Sequence, residues 1–338
     1  MDIKSPAYDV DLKLIETAVQ FLRAGDLVAF PTETVYGLGA NACSEYAMRR
    51  LFKTKGRPSD HPVIVHLADF DQVFDWAADV PESARILAKN FWPGPLTMIL
   101  KRSKKASDLV TGGQETVGLR VPNHPIALAL LRAFGDGVAA PSANKFGRVS
   151  PTSANDVRHD FGSEVACVLD GGSCRVGIES TIIDLTGAKP EILRPGMISA
   201  SAVDSLLTAK VLNDLGDENR PSRVPGSLAK HYSTQTPLKL TSLEAILASV
   251  TTVPGSLGSD ELPRSIAVLS FAEKPSRASG SLGKWIKASA DADEYARSLY
   301  RNLRDLDGCG ARVILVEEPP ETWLPVRDRL SRAATGGH

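Results

Sequence analysis

Four short polar segments of this 338-residue chain hold the side chains from which a chemical site could be built. The first is Pro31-Thr32-Glu33-Thr34-Val35-Tyr36-Gly37-Leu38-Gly39-Ala40-Asn41-Ala42, in which Thr32 and Thr34 offer hydroxyls to a small polar ligand. Its tail matches G-x-G-x-x-A, but a dinucleotide loop needs its first glycine in the turn directly after a strand. Six residues separate Phe30 from Gly37, so the match is poor, and the glycines equally permit a tight bend. The second segment is Lys53-Thr54-Lys55-Gly56-Arg57-Pro58, followed by His61 and His66. Cations around a flexible glycine wrap anionic oxygens, Arg57 as a fork and Lys55 as a point charge. A solvated basic turn is the alternative. His66 sits in the apolar run Val63-Ile64-Val65-His66-Leu67, where taken alone it reads more readily as a satisfied, half-buried imidazole than as a catalyst.

The third segment, Pro141-Ser142-Ala143-Asn144-Lys145, places a hydroxyl and a carboxamide two residues apart after an apolar run. The fourth, Gly171-Gly172-Ser173-Cys174-Arg175-Val176-Gly177-Ile178-Glu179-Ser180-Thr181, could line an anion site with backbone amides or form a mobile loop. Arg120 and Arg194 add guanidinium groups next to strand ends. Together these residues suit a phosphate-rich ligand. There is no Walker A loop: Gly280-Ser281-Leu282-Gly283-Lys284 has the wrong spacing and is followed by Trp285. HExxH, GxSxG and Cys/His zinc patterns are also absent.

The elements that must position these groups alternate in period. Helical spacing marks Leu12 to Leu22, with Gly25 as a stop, then a helix capped by Ser44, and helices over Ser83–Phe91, Pro125–Phe134 and Ser153–Phe161. Strands are expected at Leu27–Phe30, Pro62–Leu67, Leu96–Leu100, Val117–Val121, Gly137–Ala140, Cys167–Leu169, Ser180–Leu185 and Glu191–Leu193. Helices and strands do not alternate strictly, so the pattern implies an α/β layer structure around a mixed sheet. Composition shifts near residue 208, and Asn213–Thr236 has linker chemistry. Beyond it, Ile266–Ser270, a helix from Ala292 to Leu306 and Val313–Glu317 read as a small βαβ domain.

Length suggests roughly two domains of about 150 residues. With 39 Lys+Arg against 40 Asp+Glu, the net charge of −1 excludes a broad basic face for duplex nucleic acid, though not a local cluster. The four cysteines are scattered and read as reduced thiols. No apolar run approaches the roughly 20 residues of a bilayer span, and the acidic first residues do not read as a signal peptide, so a cytoplasmic protein is expected.

The motifs gain specificity in combination. Phe30-Pro31-Thr32-Glu33-Thr34-Val35-Tyr36-Gly37-Leu38, Lys55-Gly56-Arg57-Pro58 with His61-Pro62, Trp92-Pro93-Gly94-Pro95-Leu96-Thr97, Arg120-Val121-Pro122 and Pro141-Ser142-Ala143-Asn144, in this order, resemble the YrdC-like family of threonylcarbamoyl-adenylate synthases. Ser180-Thr181-Ile182, Arg194-Pro195-Gly196, and Pro225-Gly226 followed by His231-Tyr232 look like its long, two-domain form. The resemblance is strong from about residue 12 to 236 and looser beyond. It implies a YrdC-like twisted mixed sheet with helices around a large concave cleft over residues 1–208. A linker over 209–236 would cross the cleft, and 237–338 would form a smaller Rossmann-like α/β domain. The implied reaction joins L-threonine, bicarbonate or CO2, and ATP with its Mg2+, giving threonylcarbamoyl-AMP and pyrophosphate. The product would pass to a tRNA threonylcarbamoyl transferase, with no stable nucleic-acid binding and no membrane.

Carried onto this sequence, the family pattern has Thr34, His66, Arg120, Ala140 and Ser180 bind L-threonine. Lys55, Arg57, His61, Thr116, Ser142, Asn144, Ser150, Arg194 and Tyr232 surround ATP, with Lys55 and Arg57 carrying the catalytic charge and no protein metal site. One departure stands out: Tyr232 is followed by Ser233-Thr234-Gln235-Thr236-Pro237 rather than by an early proline. Two other readings are weaker. Carbamoyltransferases that contain YrdC-like modules carry acylphosphatase-like and zinc-finger-like regions that this chain lacks. An RNA-binding module would need basic, aromatic-interleaved stretches.

Overall fold

Short aliphatic runs bounded by proline or glycine become the strands. The computed structural model describes residues 10–207, 224–225, 231–251, 266–276 and 282–334. The chain divides into two compact units, Met1–Phe146 with Ser150–Ser227, and Gly147–Val149 with Leu228–His338.

The first unit contains strands β1 (Val28–Phe30), β2 (Gly37–Asn41), β3 (Ile64–His66), β4 (Leu96–Lys101), β5 (Thr116–Arg120), β6 (Val138–Ala139), β7 (Cys167–Val168), β8 (Thr181–Asp184) and β9 (Glu191–Arg194). They form one sheet in the order β7-β1-β2-β6-β3-β5-β4-β8-β9. The pairs β1–β7, β3–β5 and β4–β8 are parallel and the others antiparallel, the mixed sheet that the irregular alternation implied. Strand β2 went unrecognised in the sequence because it is written in glycines. A Cβ at Gly39 would stand 2.9 Å from Phe30 Cε1 and 3.0 Å from Val138 Cγ1, so close packing rather than a phosphate loop explains the G-x-G.

Side chains alternate across the sheet, so each strand divides its residues between two faces. One face is fully packed: Leu38, Val65, Met98, Leu119 and Ala139 join Met48 and Leu51 of helix Glu45–Lys55, Leu87 of Glu82–Phe91 and Val157 of Ala154–Phe161 in a single apolar core. The described residues cover the other face only in part. Helices Leu12–Ala24 and Pro125–Phe134 lay Ile15, Val19, Leu22, Leu130 and Leu131 over Val28, Phe30, Val138 and Ala140. Further along that face, Ile64, Ile99, Ile182 and Leu193 cluster with Val224 and with no helical residue. That sparsely covered stretch is where polar side chains collect.

The second unit holds a four-stranded sheet, β10 (Leu238–Thr241), β11 (Ile266–Ser270), β12 (Leu282–Lys287) and β13 (Val313–Glu317), in the order β10-β13-β11-β12 and all parallel. The expected strand–helix–strand is its centre, with Ala292–Asp307 as the helix and Tyr295, Leu299, Tyr300 and Leu303 buried along one face. Of the expected connection 209–236, residues 224–225 and 231–236 are described; the rest lies outside the described residues. No helix among the described residues is long and apolar enough to cross a membrane.

Candidate active site

Lys55 closes helix Glu45–Lys55, and Gly56 caps it at φ 64°, the left-handed conformation that turns the chain sharply. Lys55 Nζ, almost fully buried, donates to the carbonyl of Ser142 at 2.5 Å and to that of Asn144. The turn brings Arg57 back so that its Nη2 donates to Pro62 O at 2.8 Å, with its guanidinium 5.6 Å from the Phe146 ring. His61 meets the same ring edge-on at 5.5 Å. Asn144 Nδ2 donates to Lys145 O, and the Ser142 backbone bridges to Gly37. Ile64 pairs with Gly118, which puts Thr116 level with Pro62. Lys55, Arg57, His61, Thr116, Ser142 and Asn144 therefore gather at one end of the sparsely covered face. Burial and the neighbouring Arg57 charge hold the Lys55 ammonium well below its ordinary pKa.

The other end is built around Arg120. His66 and Arg120 are register partners on β3 and β5, and both are buried. Arg120 Nε donates to Gly94 O at 3.2 Å, and its Nη2 lies 2.8 Å from Glu33 Oε1. Burial, then the Arg120 charge, push the His66 imidazole down to about 3, so it is neutral at physiological pH. Its ring meets Phe30 edge-on at 5.9 Å. Ala140 donates its N–H to Ile64 O and lies beside Gly37, where a Cβ would sit 3.2 Å from the Ala140 methyl.

Loop Pro31–Tyr36 carries Thr34 and Glu33 into this end. The Thr32 hydroxyl donates to Val35 O at 2.7 Å, which spends its only proton. The 2.8 Å contact between the Thr32 and Thr34 hydroxyls is then donated by Thr34, whose oxygen keeps its acceptor capacity for a ligand. The fourth polar segment acts as a brace. Val176 N donates to Glu33 O at 2.7 Å, Gly177 N to Thr34 O at 3.1 Å, and the Tyr36 hydroxyl to Gly172 O at 2.8 Å. Its end supplies Ser180, whose hydroxyl lies 2.8 Å from that of Thr97, while Ser150 donates to Glu179 Oε1 at 2.6 Å. Arg194 donates through Nε and Nη2 to Ser180 O and through Nη1 to Pro225 O.

The thirteen expected site residues other than Tyr232 lie on this one sheet and its loops, brought there by strand order more than by closeness in sequence. Tyr232 belongs to the second unit. It is fully buried at φ 60°, stacked 5.6 Å from Tyr300, edge-on to His231 and beneath Arg329. Past the position where an early proline would stand, Asp307 accepts the N–H groups of Gln235 at 2.8 Å and Thr236 at 2.7 Å. Sequence reasoning missed Glu33, Thr97 and Glu179 as partners of the site. Each lies inside or next to a motif already singled out, but a buried acid beside two threonines carries no local mark of the arginine it will meet.

The chain is similar to known proteins along most of its length. A family model described as "Telomere recombination", for Sua5, YciO and YrdC proteins, matches residues 20–196, and one described as "Threonylcarbamoyl-AMP synthase, C-terminal domain" matches 197–335. The threonylcarbamoyl-AMP synthase of Pyrococcus abyssi is 40% identical over 95% of this chain and 94% of its own length. That of Bacillus subtilis is 40% identical over 95% and 93%. The crystal structure of P. abyssi Sua5 complexed with L-threonine superposes with a TM-score of 0.86 at 36% identity, covering 97% of this chain and 96% of that one.

Proposed function

We propose, on the premise that the chain belongs to the Sua5–YciO–YrdC family in its two-domain form, that it is an L-threonylcarbamoyladenylate synthase, a nucleotidyltransferase of tRNA modification. The observation that carries this reading is one sheet face with a buried carboxylate-binding arginine, Arg120, at one end and a Lys55–Arg57 pair at the other. L-Threonine occupies the Arg120 end. Its carboxylate lies on the guanidinium, its amine donates to the Thr34 hydroxyl, and neutral His66, Ala140 and Ser180 shape the wall. ATP lies along Lys55, Arg57, His61, Thr116, Ser142, Asn144, Ser150 and Arg194.

The chemistry needs positioning more than reactive side chains. The threonine amine takes up bicarbonate or CO2 to give a carbamate; with bicarbonate, water is released. A carbamate oxygen then attacks the α-phosphorus, and pyrophosphate leaves with the bonding pair. Lys55 and Arg57 stabilise the charge that grows on the phosphates.

Among the described residues, no group of three or more His, Cys, Asp or Glu side chains could cage a metal, and the buried carboxylates Glu33 and Glu179 hold Arg120 and Ser150. Side chains alone do not fit a resident Mg2+. The ion enters as part of the ATP substrate and keeps most of its waters. The product leaves for a tRNA threonylcarbamoyl transferase, in the cytoplasm.

Carbon-labelled bicarbonate tests the reaction. Label should enter an adenylate only when L-threonine and ATP are both present, and Lys55→Ala should lower the rate about 100-fold, the scale of one preorganised charge donor. Labelled adenylate without threonine would overturn the assignment.

A further inference from the structure

Arg120 does not choose its own orientation. Its guanidinium is held on Nε by Gly94 O and on Nη2 by Glu33, with both charged side chains about 95% buried. Glu33 is itself pinned: Oε2 accepts the N–H of Asn123 at 3.0 Å, and its backbone oxygen accepts Val176 N at 2.7 Å. Asn123 is fixed in turn by Arg175, whose Nη2 donates to Asn123 O at 3.2 Å. The loop after β1, the turn after β5 and the braced glycine-rich segment are therefore tied together around Glu33.

A buried ion pair is weak evidence for stability, because desolvation cancels much of its attraction. Its better-supported value is to fix one arrangement among several. We infer that Glu33 is the positioning residue of the amino-acid pocket, an inference that rests on the proposed threonine site. Its carboxylate balances Arg120 in the closed interior and, with Gly94 O on Nε, sets the plane in which the guanidinium meets the substrate carboxylate. Without it, a flexible arginine buried beside uncharged neighbours would lose the geometry that a planar fork needs. Glu33 touches no reacting atom; it acts through Arg120.

Calorimetric binding of L-threonine and, separately, of ATP to the full-length chain tests this. Wild type, Glu33→Gln, Arg120→Lys and the double variant form a thermodynamic cycle. Glu33→Gln should weaken threonine binding about 10- to 100-fold, the range of a charge-assisted hydrogen bond. ATP affinity should stay within about threefold. The double variant should bind threonine no worse than Arg120→Lys alone. Unchanged threonine binding in Glu33→Gln, additive losses, or equal losses for both ligands would each overturn the inference. Should the glutamine variant fail to fold, Glu33→Asp takes its place in the cycle with the same readings: its shorter carboxylate should weaken threonine alone and non-additively. Failure of the wild-type chain to bind threonine would count against the proposed function instead.

Discussion

His66 shows why a residue's chemistry follows from its surroundings. On its own strand it reads as a pH-sensitive group, but burial beside Arg120 lowers its pKa from 6.5 to about 3. It therefore cannot exchange protons with substrate near neutrality, and its place in the pocket is as an uncharged wall and hydrogen-bonding group. The unfolded chain binds a proton at this residue below pH 6.5 and the folded chain does not until about pH 3, so acid favours the unfolded state across that window. At pH 5 this one residue should cost about 2 kcal/mol relative to pH 7. His124, lowered to about 4 by burial, acts in the same direction. Denaturant titrations at pH 7 and pH 5 check this: His66→Gln should lose less stability between them than the wild type. An equal loss would show that His66 is already charged in the folded protein.

At the scale of elements, apolar periodicity made most of the frame legible. Pro125–Phe134 coincides with its reading, and Leu12–Ala24 and Ala154–Phe161 lie within two residues of theirs, because stops and caps such as Gly25 and Ser153 are local signals. Strands of the first sheet were found wherever aliphatic residues ran together. What escaped had no local signal. Strand β2 is Gly-Leu-Gly-Ala-Asn, and only its contact with Phe30 and Val138 explains the glycines. Strand β12, Leu282–Lys287, is only partly buried and so carries little apolar pattern. The site residues were legible as types and as a family pattern, whereas the pairing of Glu33 with Arg120 depends on two segments almost ninety residues apart. A substitution tests the account of β2: Gly39→Ala should lower stability by about 1–3 kcal/mol through overpacking, seen as a lower Tm. An unchanged Tm would mean that the hairpin has room that the coordinates deny.

Across the whole molecule, a net charge near zero coexists with four basic side chains, Lys55, Arg57, Arg120 and Arg194, buried on one sheet and its loops, with Glu33 paired to Arg120. The first unit supplies every one of those cations, and Val224 packs on the same face against Ile64 and Ile182. In the proposed reaction these side chains hold an amino acid and a nucleoside triphosphate close enough to react without a protein nucleophile. Pyrophosphate release from ATP by the full-length chain tests this most directly, with L-threonine and bicarbonate each left out in turn. The account predicts release only when all three substrates are present. Release that persists without L-threonine would contradict it.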